Sequence, residues 1–158
     1  MKRHEAGFSL IELLMVVAII LIIAAIGIPN LLRARMAANE SAASQDIRTI
    51  NTAELSYMAT YPQTGFAALQ ALGGAQPCTP SPASGCFLDN VLATNGGGRG
   101  KNGYSFTVSP SLSGYASLAN ALWINGTGTR SFCSDETGII YYLPGANGCI
   151  PGAATPLQ

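Results

Sequence analysis

Gly7-Phe8-Ser9-Leu10-Ile11-Glu12-Leu13 opens a stretch that stays apolar as far as Ile28 and decides how the rest of the chain is read. Residues 13–28 contain no charged, hydroxyl or amide side chain. At about 1.5 Å per residue, a helix over residues 8–28 reaches roughly 30 Å, the thickness of a bilayer's hydrocarbon core. The stretch therefore predicts a helix able to cross a membrane. Glu12 is the exception within it. A carboxylate near the end of such a helix is costly to leave in hydrocarbon, so a partner is expected for it. A cut between Gly7 and Phe8 would supply one: an α-amine one helical turn from Glu12, on the same copy or on a neighbouring copy.

Upstream, residues 1–7 are short and carry Lys2 and Arg3, as on the cytoplasmic flank of an inserted segment. An ordinary secretory signal is a rival reading, with Ala25-Ile26-Gly27 as its small-x-small cleavage site. It puts Glu12 at the edge of the apolar region and ignores the helical pattern that continues past the cut. Pro29 follows the apolar run, where it removes a backbone hydrogen bond and is expected to kink or loosen the helix. Residues 30–61 then change character, with Arg33, Arg35, Glu40, Asp46, Arg48 and Glu54 spread among alanines. Met36, Ala43, Ile50 and Tyr57 recur every seven residues, which predicts a one-sided amphipathic helix up to Pro62.

Beyond Pro62, Thr64 is expected to cap a short helix containing Phe66, Leu69 and Leu72, ended by Gly73-Gly74. Residues 75–85 read as a proline-rich loop, residues 87–93 as a helical turn, and residues 95–103 as a glycine-rich loop. The period then becomes two. Tyr104, Phe106 and Val108 alternate with Ser105, Thr107 and Ser109, and further strands are expected over 115–124, 130–134 and 139–143. Four short strands in succession predict an antiparallel meander.

Composition narrows the function. The chain has 8 Lys+Arg against 8 Asp+Glu, and loss of Lys2, Arg3 and Glu5 with residues 1–7 leaves 6 against 7. That balance gives no electrostatic footprint for nucleic acid. His4 is the single histidine, so histidine-assisted Ser or Cys catalysis is excluded and no enzyme is expected. Gly98-Arg99-Gly100-Lys101-Asn102-Gly103 fits G-x-G-x-x-G but precedes a strand, where a dinucleotide site needs a strand before it and a helix after. No cofactor is predicted. Asp135 and Glu136 share a turn and form a calcium hypothesis, although the ligand pattern of an EF-hand is absent. Cys78, Cys86, Cys133 and Cys149 allow three pairings, of which the simplest joins neighbours in sequence, Cys78 with Cys86 and Cys133 with Cys149. No C-x-x-C occurs, so a zinc site lacks its usual ligand spacing.

Gly7, Phe8 and Glu12 ahead of an apolar run resemble the type III signal of the type IV pilin and pseudopilin family. Residues 128–132 and 135–141 are similar to the C-terminal strands of bacterial type IV pilins. The resemblance implies the α+β type IV pilin fold, a long N-terminal α-helix (about 8–61) packed on a C-terminal antiparallel β-meander. It divides the chain into a cleaved leader (1–7), a transmembrane and filament-core half-helix (8–28), an amphipathic half-helix (29–61) and a globular head (62–158). The head would hold an αβ-loop, a four-stranded sheet and a C-terminal loop closed by Cys133–Cys149. The resemblance further implies cleavage after Gly7 and N-methylation of Phe8, with Glu12 and Phe8 pairing in assembly and Pro29 as the point where the helix yields. The partners it implies are other copies of the chain, a prepilin peptidase, the membrane before assembly, and an inner-membrane assembly platform driven by an ATPase. The expected destination is a surface pilus that mediates adhesion and twitching. A periplasmic pseudopilus of a type II secretion system is the alternative, and a secreted soluble protein cut at Gly27 is a third.

Overall fold

The computed structural model of the chain describes Gly7 and residues 9–157. It divides into two compact units with the boundary between Ala34 and Arg35. One helix, α1 (Leu10–Thr60), supplies chain to both. Its expected first residue, Phe8, and the expected leader, residues 1–6, lie outside the described residues. Pro29 lies inside α1. Having no N–H, it leaves the Ala25 carbonyl without its helical donor.

In the first unit the helix keeps its apolar side chains on the surface: Leu10, Leu14, Ile20 and Ile26 are all exposed. Fully burying one such side chain is worth ~1.5–3 kcal/mol, so the large apolar residues of 10–28 together forgo on the order of 20–40 kcal/mol when solvated. That surface requires lipid or protein against it.

The second unit packs residues 35–60 of α1 on an antiparallel sheet, which makes the chain α+β. The strands are β1 (Tyr104–Pro110), β2 (Tyr115–Ala121), β3 (Arg130–Asp135), β4 (Ile140–Pro144) and β5 (Thr155–Pro156), in the order β1-β2-β3-β4-β5. Each strand pairs with its neighbour in sequence, as short turns between antiparallel strands favour. Ala43, Ile47, Ile50 and Tyr57 of α1 meet Phe106 of β1 and Phe132 of β3 in one apolar cluster, the seven-residue spacing having put them on one stripe.

Several local expectations are corrected. The sheet has five strands where four were expected, because the C-terminal chain turns back to add Thr155–Pro156 beside Tyr141 and Tyr142. Two residues carry no alternation, so no period announced that strand. β2 stops at Ala121, since residues 123–128 fold into a hydrogen-bonded turn. Thr64 does not cap a helix: its hydroxyl donates to the Tyr61 carbonyl at 2.8 Å. The helix that follows, α2 (Leu69–Leu72), starts after Ala68, and Phe66 precedes it. The turn expected over 87–93 narrows to α3 (Asn90–Ala93), whose start is fixed by the Asp89 carboxylate accepting the Leu92 N–H at 3.0 Å.

Disulfides join Cys78 to Cys86 and Cys133 to Cys149. The first closes the loop over which Tyr57 reaches, its hydroxyl donating to the Pro82 carbonyl at 2.6 Å. The second ties β3 to the C-terminal segment.

Polar groups on the buried stripe of α1 fix the head's register. Glu40 Oε1 accepts from the Thr129 N–H at 2.7 Å and from the Thr129 hydroxyl at 2.6 Å, while Oε2 faces the Arg130 guanidinium at 2.6 Å. Arg130 also lies over the rings of Phe132 and Tyr142. Burial alone would raise the Glu40 pKa, but the Thr129 donors and then Arg130 outweigh it and hold the carboxyl below its ordinary value. Asn51 donates to the Ser134 hydroxyl at 2.8 Å, and Lys101 bridges Asp46 and Asp89. Glu40→Ala strands the Thr129 N–H and a half-covered guanidinium. It is expected to lower the head's unfolding free energy by ~3 kcal/mol, read as a loss of denaturation midpoint in urea at constant slope.

Candidate functional site

The candidate site is the beginning of α1. Gly7 and Ser9 are non-helical and exposed, and the helix begins at Leu10. Ser9 therefore occupies the N-cap position and Glu12 the third helical position. Glu12 Oε2 accepts the Ser9 backbone N–H at 2.9 Å, and the Leu13 N–H donates to the Ser9 carbonyl at 3.2 Å. This is the return half of a capping box, in which an acid three residues into the helix satisfies the N-cap's own donor. A negative charge there also opposes the positive end of the helix dipole. The sequence signal, Ser-x-x-Glu before an apolar run, was present and had been read only as a missing partner.

The structure thus gives Glu12 an occupation in the single chain before any second copy is present. Phe8, the other half of the expected pair, lies outside the described residues. Glu12 keeps one oxygen exposed to the surroundings and sits at the head of the apolar surface described above. Together these features make a helix end that is self-capped, carries one acid, and leads into a surface that must be covered.

Asp135 and Glu136 are not drawn into a metal-binding group. Asp135 Oδ1 accepts from the Thr137 N–H at 3.0 Å and from the Thr137 hydroxyl, so the turn satisfies it locally. Among the described residues no three His, Cys, Asp or Glu side chains come together as ligands.

A second acid had not been singled out as a site. Glu54 is fully buried, accepts one N–H from Ala67 at 3.0 Å, and has no partner for Oε1 among the described residues. Burial pushes its carboxyl up to about 7 despite that hydrogen bond. Glu40 and Glu54 both fall on the stripe that carries Ala43, Ile47, Ile50 and Tyr57. An acid at a stripe position was the available signal for each.

A family model described as the prokaryotic N-terminal methylation motif matches residues 2–28. The chain is similar to the type IV wide pilus major component PilA4 of Thermus thermophilus, with 62% identity over 39 residues. Those residues are 25% of this chain, and they span 30% of the relative, less than a third of its length. No solved structure matches the chain. In its N-terminal segment, with Gly7 and Phe8 ahead of a capped apolar helix bearing Glu12, this chain belongs to the type IV pilin family that carries the prokaryotic methylation motif.

Proposed function

We propose that this chain is a structural subunit of a type IV pilus. The precursor is held in the inner membrane by α1, cut between Gly7 and Phe8 by a prepilin peptidase, methylated on Phe8, and added to a helical filament of identical copies. The observation that carries the reading is the uncovered apolar surface of residues 10–28 behind one acid. Lipid covers it first. The same helix of sister copies covers it afterwards, with Glu12 meeting the α-amine of Phe8 on a neighbour. An inner-membrane platform and its ATPase supply the work of extraction, and Pro29 is where α1 yields to fit the filament. The assembled fibre lies at the cell surface, serving adhesion and twitching.

N-terminal sequencing of sheared surface fibres tests this. The expected first residue is Phe8, and Gly7→Val is expected to leave uncut precursor in the membrane. A mature chain beginning at Ile28 would make the protein a secreted one and overturn the reading. Loss of protein secretion on deletion, with surface fibres intact, would assign the subunit to a pseudopilus.

A further inference from the structure

The turn between β2 and β3 carries an apolar tip that the core does not use. Leu122 is half exposed and Trp123 is 72% exposed. This tip is rigid. The Thr127 N–H donates to the Trp123 carbonyl at 2.8 Å, the Thr127 hydroxyl accepts the Trp123 N–H at 3.1 Å, and the indole lies across Gly126 so closely that a Cβ there would stand 2.7 Å from it. The tip is also pinned to α1, because the Asn39 side-chain amide donates to the Thr127 carbonyl at 2.9 Å. A preorganised, exposed aromatic side chain loses little conformational freedom when it is covered.

Charge says what could cover it. No acidic residue occurs between Asp89 and Asp135 in the sequence. Glu40, next to Asn39, is already paired with Arg130, and Asp46 and Asp89 are paired with Lys101. Arg99 is exposed, forms no ion pair among the described residues, and adjoins Gly100, against which Leu122 packs. Arg33 and Arg35 follow the apolar run directly. An indole and a leucine flanked by unpaired arginines is the chemistry of a membrane interface, where Trp rests at headgroup level and Arg meets anionic headgroups. Chain length is consistent with that partner. Asn39 follows Leu32 by seven residues, about 10 Å of helix, while the headgroup layer is roughly 5–8 Å deep.

We infer that the Leu122–Trp123 tip is a lipid-surface contact of the unassembled chain, with Trp123 in the headgroup region of the leaflet where α1 emerges and Arg99 against anionic headgroups. This rests on the reading that residues 8–28 cross a membrane. The contact holds the head down on the bilayer until assembly, when the tip leaves the lipid.

Trp123 is the single tryptophan of the chain, so its fluorescence reports this position alone. The full chain is reconstituted into vesicles of phosphatidylethanolamine and phosphatidylglycerol whose acyl chains carry bromine near the headgroup. The protein is expected to float with the vesicles and to lose about half of its Trp123 emission relative to unbrominated vesicles, since bromine quenches only an indole at interfacial depth. Flotation with undiminished emission overturns the inference and leaves the membrane reading standing. Failure to float overturns both. Emission that ignores bromine but shifts with the protein-to-lipid ratio shows a second copy covering the indole, and that also overturns it.

Discussion

Cells carrying Glu12→Ala are expected to insert the chain, remove residues 1–7, and yield at most about one hundredth of the normal mass of sheared fibres. In the proposed filament, Glu12 and the α-amine of Phe8 on a neighbour are both withdrawn from water. Taking away one member of a buried pair costs ~3–5 kcal/mol because the other stays charged without a counter-charge, and 3 kcal/mol is already a factor of roughly 100 in an association constant. The Ser9–Glu12 cap adds a complication that Glu12→Gln resolves. Glutamine at the third helical position still accepts the Ser9 N–H but has no charge. A fibre yield restored by Gln would assign Glu12 to capping; a yield as low as with Ala assigns it to the ion pair. Immunoblots of the membrane and sheared fractions, normalised to total subunit, read both variants. Normal fibres from Glu12→Ala would sink the assembly role.

The second large effect is a dependence of head stability on pH between about 4.5 and about 7. Unfolded, Glu54 ionises at its ordinary value of 4.5; folded, it holds its proton up to about 7. Across this window folding takes up a proton, so stability falls as pH rises, by ~1.4 kcal/mol per unit and ~3 kcal/mol in all. Below the window both states are protonated and the penalty vanishes. Above it the folded chain carries a buried anion with one donor. The carboxyls held low, Glu40 and Asp89, add stability that is lost only at lower pH, outside this window. The full chain in detergent is expected to melt at a higher temperature at pH 5 than at pH 8, and Glu54→Gln is expected to flatten that difference and raise the melting temperature at pH 8. A wild-type melting temperature that is level from pH 5 to pH 8 would refute the buried-acid account.

The apolar residues of α1 and the alternating residues of β1 were legible because burial imposes a period on them, 3.6 in the helix and 2 in the strand. Met36, Ala43, Ile50 and Tyr57 marked the packed face in advance, and Tyr104 and Phe106 marked the inward face of β1. The polar members of the same face were not legible. Glu40, Asp46, Asn51 and Glu54 read as solvated charge and amide, and their burial depends on donors such as Thr129, Ser134 and Ala67 that arrive from distant sequence. The membrane-crossing stretch and its motif needed no tertiary contact at all, which is why residues 2–28 are the part that also matches a known family. The Leu122–Trp123 tip was read as the end of a strand, because alternation continues one turn past the point where Gly126 and Gly128 bend the chain. Gly128 is obligatory there, since the Tyr104 ring leaves no room for a Cβ.

The bond between Cys133 and Cys149 decides how this head answers a pull. β5 is two residues long and holds β4 by a short ladder that would peel open one hydrogen bond at a time under load from the C-terminus. The disulfide lies upstream of β5 and anchors its chain to β3, in the middle of the sheet. Tension that peels β5 away therefore stops at Cys149 and passes through covalent sulfur into a strand flanked on both sides, which can yield only by shearing two ladders together. The outermost strands are mechanically spare, and the centre of the sheet bears the force.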